Sequence, residues 1–301
     1  MKKPYFGRLL TAMVTPFRED GSVDYKAAAD FAEWLLGHGT NGLLVEGSTG
    51  EPATMTMEEK LELVRAITER IGGRAPIVVG AGSNCTADTV NMVRTLEEKF
   101  SIDGFLVVGP YYNKPTQEGF YQHFAAVARA TSLPIIIYNV PGRTGSNIAP
   151  ETVARLARDF ENIVAIKEAA GNVQQTAALY RLLPEDFSIY SGDDIQILPF
   201  MSVGACGLIS VLSNTGIGAT MLQEMMQAYS EGRVHDAAEM NKKIVPFANA
   251  MFLESNPIPI KEAVNLLTPF NVGAPRLPLT PISAGAKAKL ESLLKEMGFL
   301  K

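Results

Sequence analysis

The run Ile163-Val164-Ala165-Ile166-Lys167-Glu168 carries strand-forming apolar residues onto a lysine. Side chains alternate along a strand, so Ile163, Ala165 and Lys167 share one face while Val164, Ile166 and Glu168 share the other. Ala165 leaves room beside the ammonium. If that face lines a closed interior, lost hydration disfavours the charged form and lowers the lysine pKa. An unshifted lysine near pKa ~10.4 holds only about a thousandth of its amine free at neutral pH, so a nucleophile needs a shift of roughly three units, about 4 kcal/mol. The competing reading is a lysine that reaches from a strand end into solvent.

Other residues able to exchange protons or bind anions lie in short polar stretches. Gly47-Ser48-Thr49-Gly50-Glu51 reads as a tight turn whose amides and hydroxyls can hold a carboxylate. It is no P-loop, because Glu51 stands where that motif needs lysine. Tyr111 and Tyr112 form a second stretch and Tyr138 with Asn139 a third. Pro141-Gly142-Arg143-Thr144-Gly145 puts an arginine in a glycine-rich loop, either solvated or clamping a carboxylate through two parallel hydrogen bonds. Asp193 and Asp194 directly precede an apolar helical stretch, which favours capping over metal binding. His38, His123 and His235 fall on or beside helical stretches, so a histidine-based metal site is disfavoured, and no metal or cofactor is expected.

The elements that must position these residues repeat. Strand-like runs at 9–14, 42–45, 77–80, 104–108, 135–139, 163–167, 188–191 and 207–210 are separated by helical spacings at 25–36, 57–71, 86–100, 117–130, 150–160, 173–183 and 195–203. Thr56 with Glu59 makes a capping box for the helix at 57–71. Eight strands alternating with helices predict a parallel (β/α)8 barrel over residues 1–220, an α/β fold. An open doubly wound sheet is the alternative, and the missing G-x-G-x-x-G after the first strand weakens its dinucleotide-binding form. Residues 221–301 read as a C-terminal helical extension, interrupted at Asn256-Pro257-Ile258-Pro259-Ile260. In a barrel the active site lies at the C-terminal strand ends, where Ser48, Thr49, Tyr111, Tyr112, Tyr138 and Lys167 all stand. Neighbouring strands are ~4.8 Å apart, which brings Tyr138 within reach of Lys167 as a proton shuttle.

Composition narrows the function classes. The chain has 301 residues, 47% hydrophobic and 20% charged, with a net charge of -5. That is an ordinary globular balance without the basic surface nucleic-acid binding needs. Two cysteines, Cys85 and Cys206, fit a reducing compartment. Apolar stretches are too short to span a membrane and no signal peptide is apparent, so a cytoplasmic protein is expected.

Taken together, Val14-Thr15-Pro16-Phe17, Gly47-Ser48-Thr49-Gly50-Glu51, Pro110-Tyr111-Tyr112-Asn113, Tyr138-Asn139-Val140-Pro141-Gly142-Arg143-Thr144-Gly145, Ile166-Lys167-Glu168 and Asn256-Pro257-Ile258-Pro259 resemble the dihydrodipicolinate synthase family. That family is a TIM-barrel branch of the lysine-dependent pyruvate aldolases, and the resemblance covers nearly the whole chain. It implies that pyruvate forms a Schiff base on Lys167 and that its enamine adds to aspartate 4-semialdehyde, the step that opens diaminopimelate and lysine synthesis. It further implies a proton relay of Tyr138, Thr49 and Tyr112, with Tyr112 entering from a neighbouring subunit of a homodimer or homotetramer. Arg143 would bind the semialdehyde carboxylate, and Gly192 and Ile209 would border the pyruvate pocket.

Ser48 departs from the threonine most synthases carry and resembles the sialic-acid lyases, although it keeps the hydroxyl. Sugar-acid aldolases share the lysine and tyrosine but usually lack the arginine at Arg143. A non-catalytic regulator on the same barrel is the contrasting class, and the acidic charge and absent DNA-binding motif count against it. The resemblance also implies an effector site for lysine at Asn84, Asp88, Tyr111, Met57 and Lys60. Lys60 would place a positive charge near the effector's ammonium, so weak or absent lysine inhibition is expected.

Overall fold

Short apolar runs such as Leu9–Ala12, Gly42–Val45 and Ile135–Asn139 are buried at every residue, as parallel strands covered on both faces require. The computed structural model describes residues 3–301. Strands β1 (Leu9–Ala12), β2 (Gly42–Val45), β3 (Ile77–Gly80) and β4 (Gly104–Val108) are separated by helices α1 (Tyr25–Gly37), α2 (Met57–Ile71) and α3 (Thr86–Lys99). After α4 (Gln117–Ala128) come β5 (Ile135–Asn139), a one-turn helix α5 (Pro141–Thr144), α6 (Pro150–Asp159) and β6 (Ile163–Glu168). Then follow α7 (Val173–Leu182), β7 (Ser188–Ser191), α8 (Ile197–Met201) and β8 (Gly207–Ser210). The strands form a closed barrel in chain order, β1 to β8. Helices α9 (Ile217–Ser230), α10 (Val234–Ala250), α11 (Ile258–Leu267) and α12 (Ala284–Glu296) follow it.

By its internal contacts the chain divides into two compact units. Of the described residues, one comprises 3–8 and 76–209. Within it β4, β5, β6 and β7 pair in parallel, with Val108 opposite Tyr138, Tyr138 opposite Lys167 and Lys167 opposite Tyr190. The register slips once, between Ile135 and Ile136, and is regular again from Ala165 to Glu168. Tyr190 is fully buried, and its hydroxyl accepts a hydrogen bond from the Phe6 amide at 2.9 Å, which ties the N-terminal segment to β7.

The other unit comprises residues 9–75 and 210–301. Here β1 pairs with β2 in parallel. The expected capping box forms: Thr56 Oγ1 accepts from the Glu59 amide, and Glu59 accepts from the Thr56 amide. A polar chain also ties this unit together. Lys261 Nζ of α11 donates to Glu51 Oε1 at 2.9 Å, with the side chains 1% and 2% exposed, and the Arg276 amide donates to Glu51 Oε2 at 2.9 Å. The Arg276 guanidinium grips both carboxylate oxygens of Glu59 and the Thr54 carbonyl.

Candidate active site

The ends of β5 and β6 set the direction of four side chains. Residues paired across parallel strands point to the same side, so Tyr138 and Lys167 share one face and Asn139 and Glu168 the other. On the second face Asn139 Nδ2 donates to both Glu168 oxygens at 3.1 and 3.2 Å. The Ala170 amide and Gln175 Nε2 of α7 donate to the same carboxylate at 2.7 and 2.9 Å. Asn139 Oδ1 accepts from the Ile148 amide at 3.0 Å. This net turns Asn139 and Glu168 toward the helices and so turns Tyr138 and Lys167 toward the barrel interior.

There Lys167 is 5% exposed and Tyr138 6%. The Lys167 ammonium nitrogen lies 4.4 Å from the centre of the Tyr138 ring, as the sequence predicts. Burial is the main influence that lowers the Lys167 pKa to about 7; the Asp194 carboxylate pulls it upward and the Arg143 guanidinium downward. Near neutrality about half of such an amine is unprotonated. The solvated-lysine reading is therefore set aside. A free buried amine beside a tyrosine can attack a carbonyl carbon and pass protons to its neighbour.

Gly192, after β7, explains how the lysine lies. A Cβ at that position would stand 2.7 Å from the Ala169 Cβ and 3.1 Å from the Lys167 Cε, so the side chain passes where only glycine leaves space. The Gly192 amide donates to the Glu168 carbonyl at 2.8 Å. Ile209, in β8, is fully buried.

Two sequence expectations are corrected here. Asp193 caps, its Oδ1 accepting from the Ile195 amide at 3.1 Å, but Asp194 is 1% exposed and directs its charge at Lys167 instead. Arg143 lies in α5 rather than in a loop, and is exposed. Pro141 at the first position and Gly145 in the left-handed conformation at φ 75° bound that single turn, and both are legible as start and stop signals.

Tyr112 is 87% exposed and adopts a positive φ of 74°, its amide donating to the Thr144 carbonyl at 3.3 Å. Tyr111 beside it is 41% exposed. The Asn84 carbonyl accepts from Asn113 Nδ2 at 2.8 Å, and Asp88 is exposed in the first turn of α3.

In the second unit, Ser48–Gly50 forms a 3-10 turn closed by the Gly50 amide on the Gly47 carbonyl at 2.8 Å. Ser48 is half-buried and Thr49 is 3% exposed. Thr49 Oγ1 accepts a hydrogen bond from Asn256 Nδ2 at 3.0 Å, a partner that no local sequence signal announces. Met57 is exposed, whereas Lys60 is half-buried with its charge acting on the buried Glu46.

The chain as a whole is similar to known proteins. The model of the dihydrodipicolinate synthetase family matches residues 5–297. The chain is 45% identical to a 4-hydroxy-tetrahydrodipicolinate synthase of Desulforamulus reducens over 98% of both chains. It is 47% identical to one of Synechococcus elongatus over 99% of both. A crystal structure of dihydrodipicolinate synthase from Cyanidioschyzon merolae with lysine bound is similar at a TM-score of 0.95 and 41% identity, covering 99% of this chain and 100% of that one. The chain belongs to the dihydrodipicolinate synthetase family.

Proposed function

We propose that this chain is a Schiff-base-forming, aldol-type synthase that condenses pyruvate with L-aspartate 4-semialdehyde, the 4-hydroxy-tetrahydrodipicolinate synthase reaction of diaminopimelate and lysine biosynthesis. The observation that carries the reading is the buried Lys167, 5% exposed, with its pKa lowered to about 7 and Tyr138 alongside. The free amine attacks the keto carbon of pyruvate, water leaves, and an iminium forms. Loss of a methyl proton gives the enamine, whose carbon attacks the aldehyde. The amino group of the adduct then closes on the imine carbon and displaces Lys167 as the free amine. Each step moves a proton, and Tyr138 is the first carrier, with Thr49, Ser48 and Tyr112 assigned the remaining transfers on the family resemblance. Gly192 and Ile209 border the pyruvate, and Arg143 clamps the semialdehyde carboxylate.

A tyrosine 87% exposed at Tyr112 suits a side chain that inserts into a second subunit, so the working form is a homodimer or homotetramer. A biosynthetic enzyme with these substrates belongs in the cytoplasm. At the effector positions Asn84, Asp88, Tyr111, Met57 and Lys60, the Lys60 charge opposes a cationic effector, and lysine inhibits weakly or not at all. Strong inhibition of the purified enzyme by millimolar lysine would overturn that expectation.

Borohydride reduction with pyruvate, followed by peptide mass mapping, tests the mechanism; absence of a pyruvate-sized adduct on Lys167 removes it. Ser48 favours one second reading, a pyruvate-dependent sugar-acid aldolase. Comparing turnover of aspartate semialdehyde with N-acetylmannosamine and glyceraldehyde decides between them. Arg143→Ala should cost about ten- to a hundredfold in kcat/KM for the carboxylate-bearing acceptor and little for one without a carboxylate. Equal losses would refute the clamp.

A further inference from the structure

What lies beneath Lys167, toward the strand starts, is as well defined as what lies beside it. Tyr190 of β7 and Gly192 just after β7 are two residues apart, so their side-chain positions share one face. A Cβ on Gly192 would meet Lys167 Cγ at 3.2 Å and Cε at 3.1 Å, so the lysine runs along that face, one step above Tyr190. The register agrees, with Tyr190 directly opposite Lys167. The Tyr190 ring continues over Gly207, the first residue of β8, where a Cβ would stand 2.5 Å from its Cε1.

Below that ring the N-terminal segment crosses the strand starts. The Phe6 amide donates to the Tyr190 hydroxyl at 2.9 Å, the Tyr5 amide to Ser188 Oγ at 3.0 Å, and the Leu208 amide to the Arg8 carbonyl at 2.8 Å. The Phe6 ring, 3% exposed, lies against Gly104, the first residue of β4, where a Cβ would stand 2.8 Å from its Cζ. Two strands thus begin on a glycine that makes way for an aromatic ring, and one hydrogen bond joins the two aromatic residues.

We propose that Tyr190 is a positioning residue: with Phe6 it forms a dry floor under Lys167 that withholds water from the amine and so keeps it free to attack. The inference rests on the proposed Schiff-base chemistry and deepens it. Burial is the largest influence on the lysine, and the floor supplies that burial from below. The other groups that act on the amine, Tyr138 of β5, Arg143 of α5 and Asp194 after β7, come from the strand ends above. Tyr190 adds no charge, because its own burial pushes the phenol pKa up.

The test is the pH dependence of cyanoborohydride trapping of pyruvate on Lys167 at subsaturating pyruvate. Tyr190→Phe keeps the ring and removes the hydroxyl that holds Phe6, whereas Phe6→Ala removes the lower ring and keeps Tyr190. Water admitted below the lysine favours the ammonium, so the rising limb should move up by about one pH unit in both variants. The trapping rate should then fall about five- to tenfold at pH 6.5 and less than about twofold at pH 9. The double variant should shift the limb no further than the larger single shift, because the two side chains form one floor. A loss equal at both pH values, as a merely structural role would give, a shift to lower pH, or an unmoved limb in Tyr190→Phe overturns the proposal. Should Phe6→Ala not fold, Tyr190→Phe alone decides. Trapping of the wild-type protein separates the two readings. No adduct there removes the Schiff-base chemistry, whereas normal wild-type trapping with an unmoved limb in the variants removes only the role of the floor.

Discussion

At the residue scale, the chemistry depends on how two neighbouring charges, a buried carboxylate and an exposed guanidinium, act on one buried amine. Lost hydration pushes the Lys167 pKa down to about 7, while Asp194 holds it from falling further and Arg143 lowers it. Only the free amine attacks, so kcat/KM for pyruvate should rise with pH through about 7. Asp194→Asn removes the anion that favours the ammonium, and the rising limb should move to lower pH; movement to higher pH would contradict the assigned field. The same burial has a stability consequence. Because the folded-state pKa lies below the unfolded value, the unfolded chain binds more protons between about pH 7 and 10.5, and stability rises over that window. Lys167→Met should therefore be the more stable protein at pH 6, by roughly 4 to 5 kcal/mol, with the difference vanishing toward pH 10. Urea denaturation at the two pH values measures it.

At the element scale, strand ends and turns are held by polar groups on the side away from the chemistry. Asn139, Glu168 and Gln175 lock β5 and β6 to α7 and so aim Tyr138 and Lys167 inward. Glu51, Lys261 and Arg276 do comparable work for the Ser48–Gly50 turn. Removing one member of a buried ion pair leaves the other charge uncompensated, so Lys261→Met should cost about 3 to 5 kcal/mol in chemical denaturation. Pairing it with Glu51→Gln should recover part of that loss. A cost below about 1 kcal/mol for the single variant would mean the pair is well solvated, against its 1% and 2% exposure.

For the whole molecule, one buried acid works against stability. Glu46, between β2 and the Ser48–Gly50 turn, is 3% exposed with neither carboxylate oxygen hydrogen-bonded among the described residues. Burial pushes its pKa up to about 7, and the Lys60 charge only partly opposes this. A raised carboxyl pKa means that the folded protein binds more protons than the unfolded chain between pH 4.5 and about 7, so stability falls across that range. Glu46→Gln should remove the decline, gaining about 3 kcal/mol at pH 8 relative to its effect near pH 4. Equal effects at both values in thermal or urea unfolding would refute it.

The barrel was largely legible because its signals are local. Apolar runs bounded by glycine and proline located β2 to β5, β7 and β8 at their observed limits, and the Thr56–Glu59 pair marked the start of α2. Where the reading slipped, the backbone bends without changing composition. β1 ends at Ala12 although the apolar run continues, and the helix expected at 195–203 splits into a 3-10 turn at Asp194–Gln196 and α8. The sequence by itself determined the alternation of strands and helices, the place of Lys167 at a strand end and its register neighbour Tyr138, since these follow from periodicity and chain order. Tertiary structure alone decided that Asp194 faces Lys167, that Gly192 makes way for it and that Asn256 holds Thr49 from 207 residues away. Desolvation, close approach and long-range hydrogen bonds arise from segments that meet only when the chain is folded, and no local pattern encodes them.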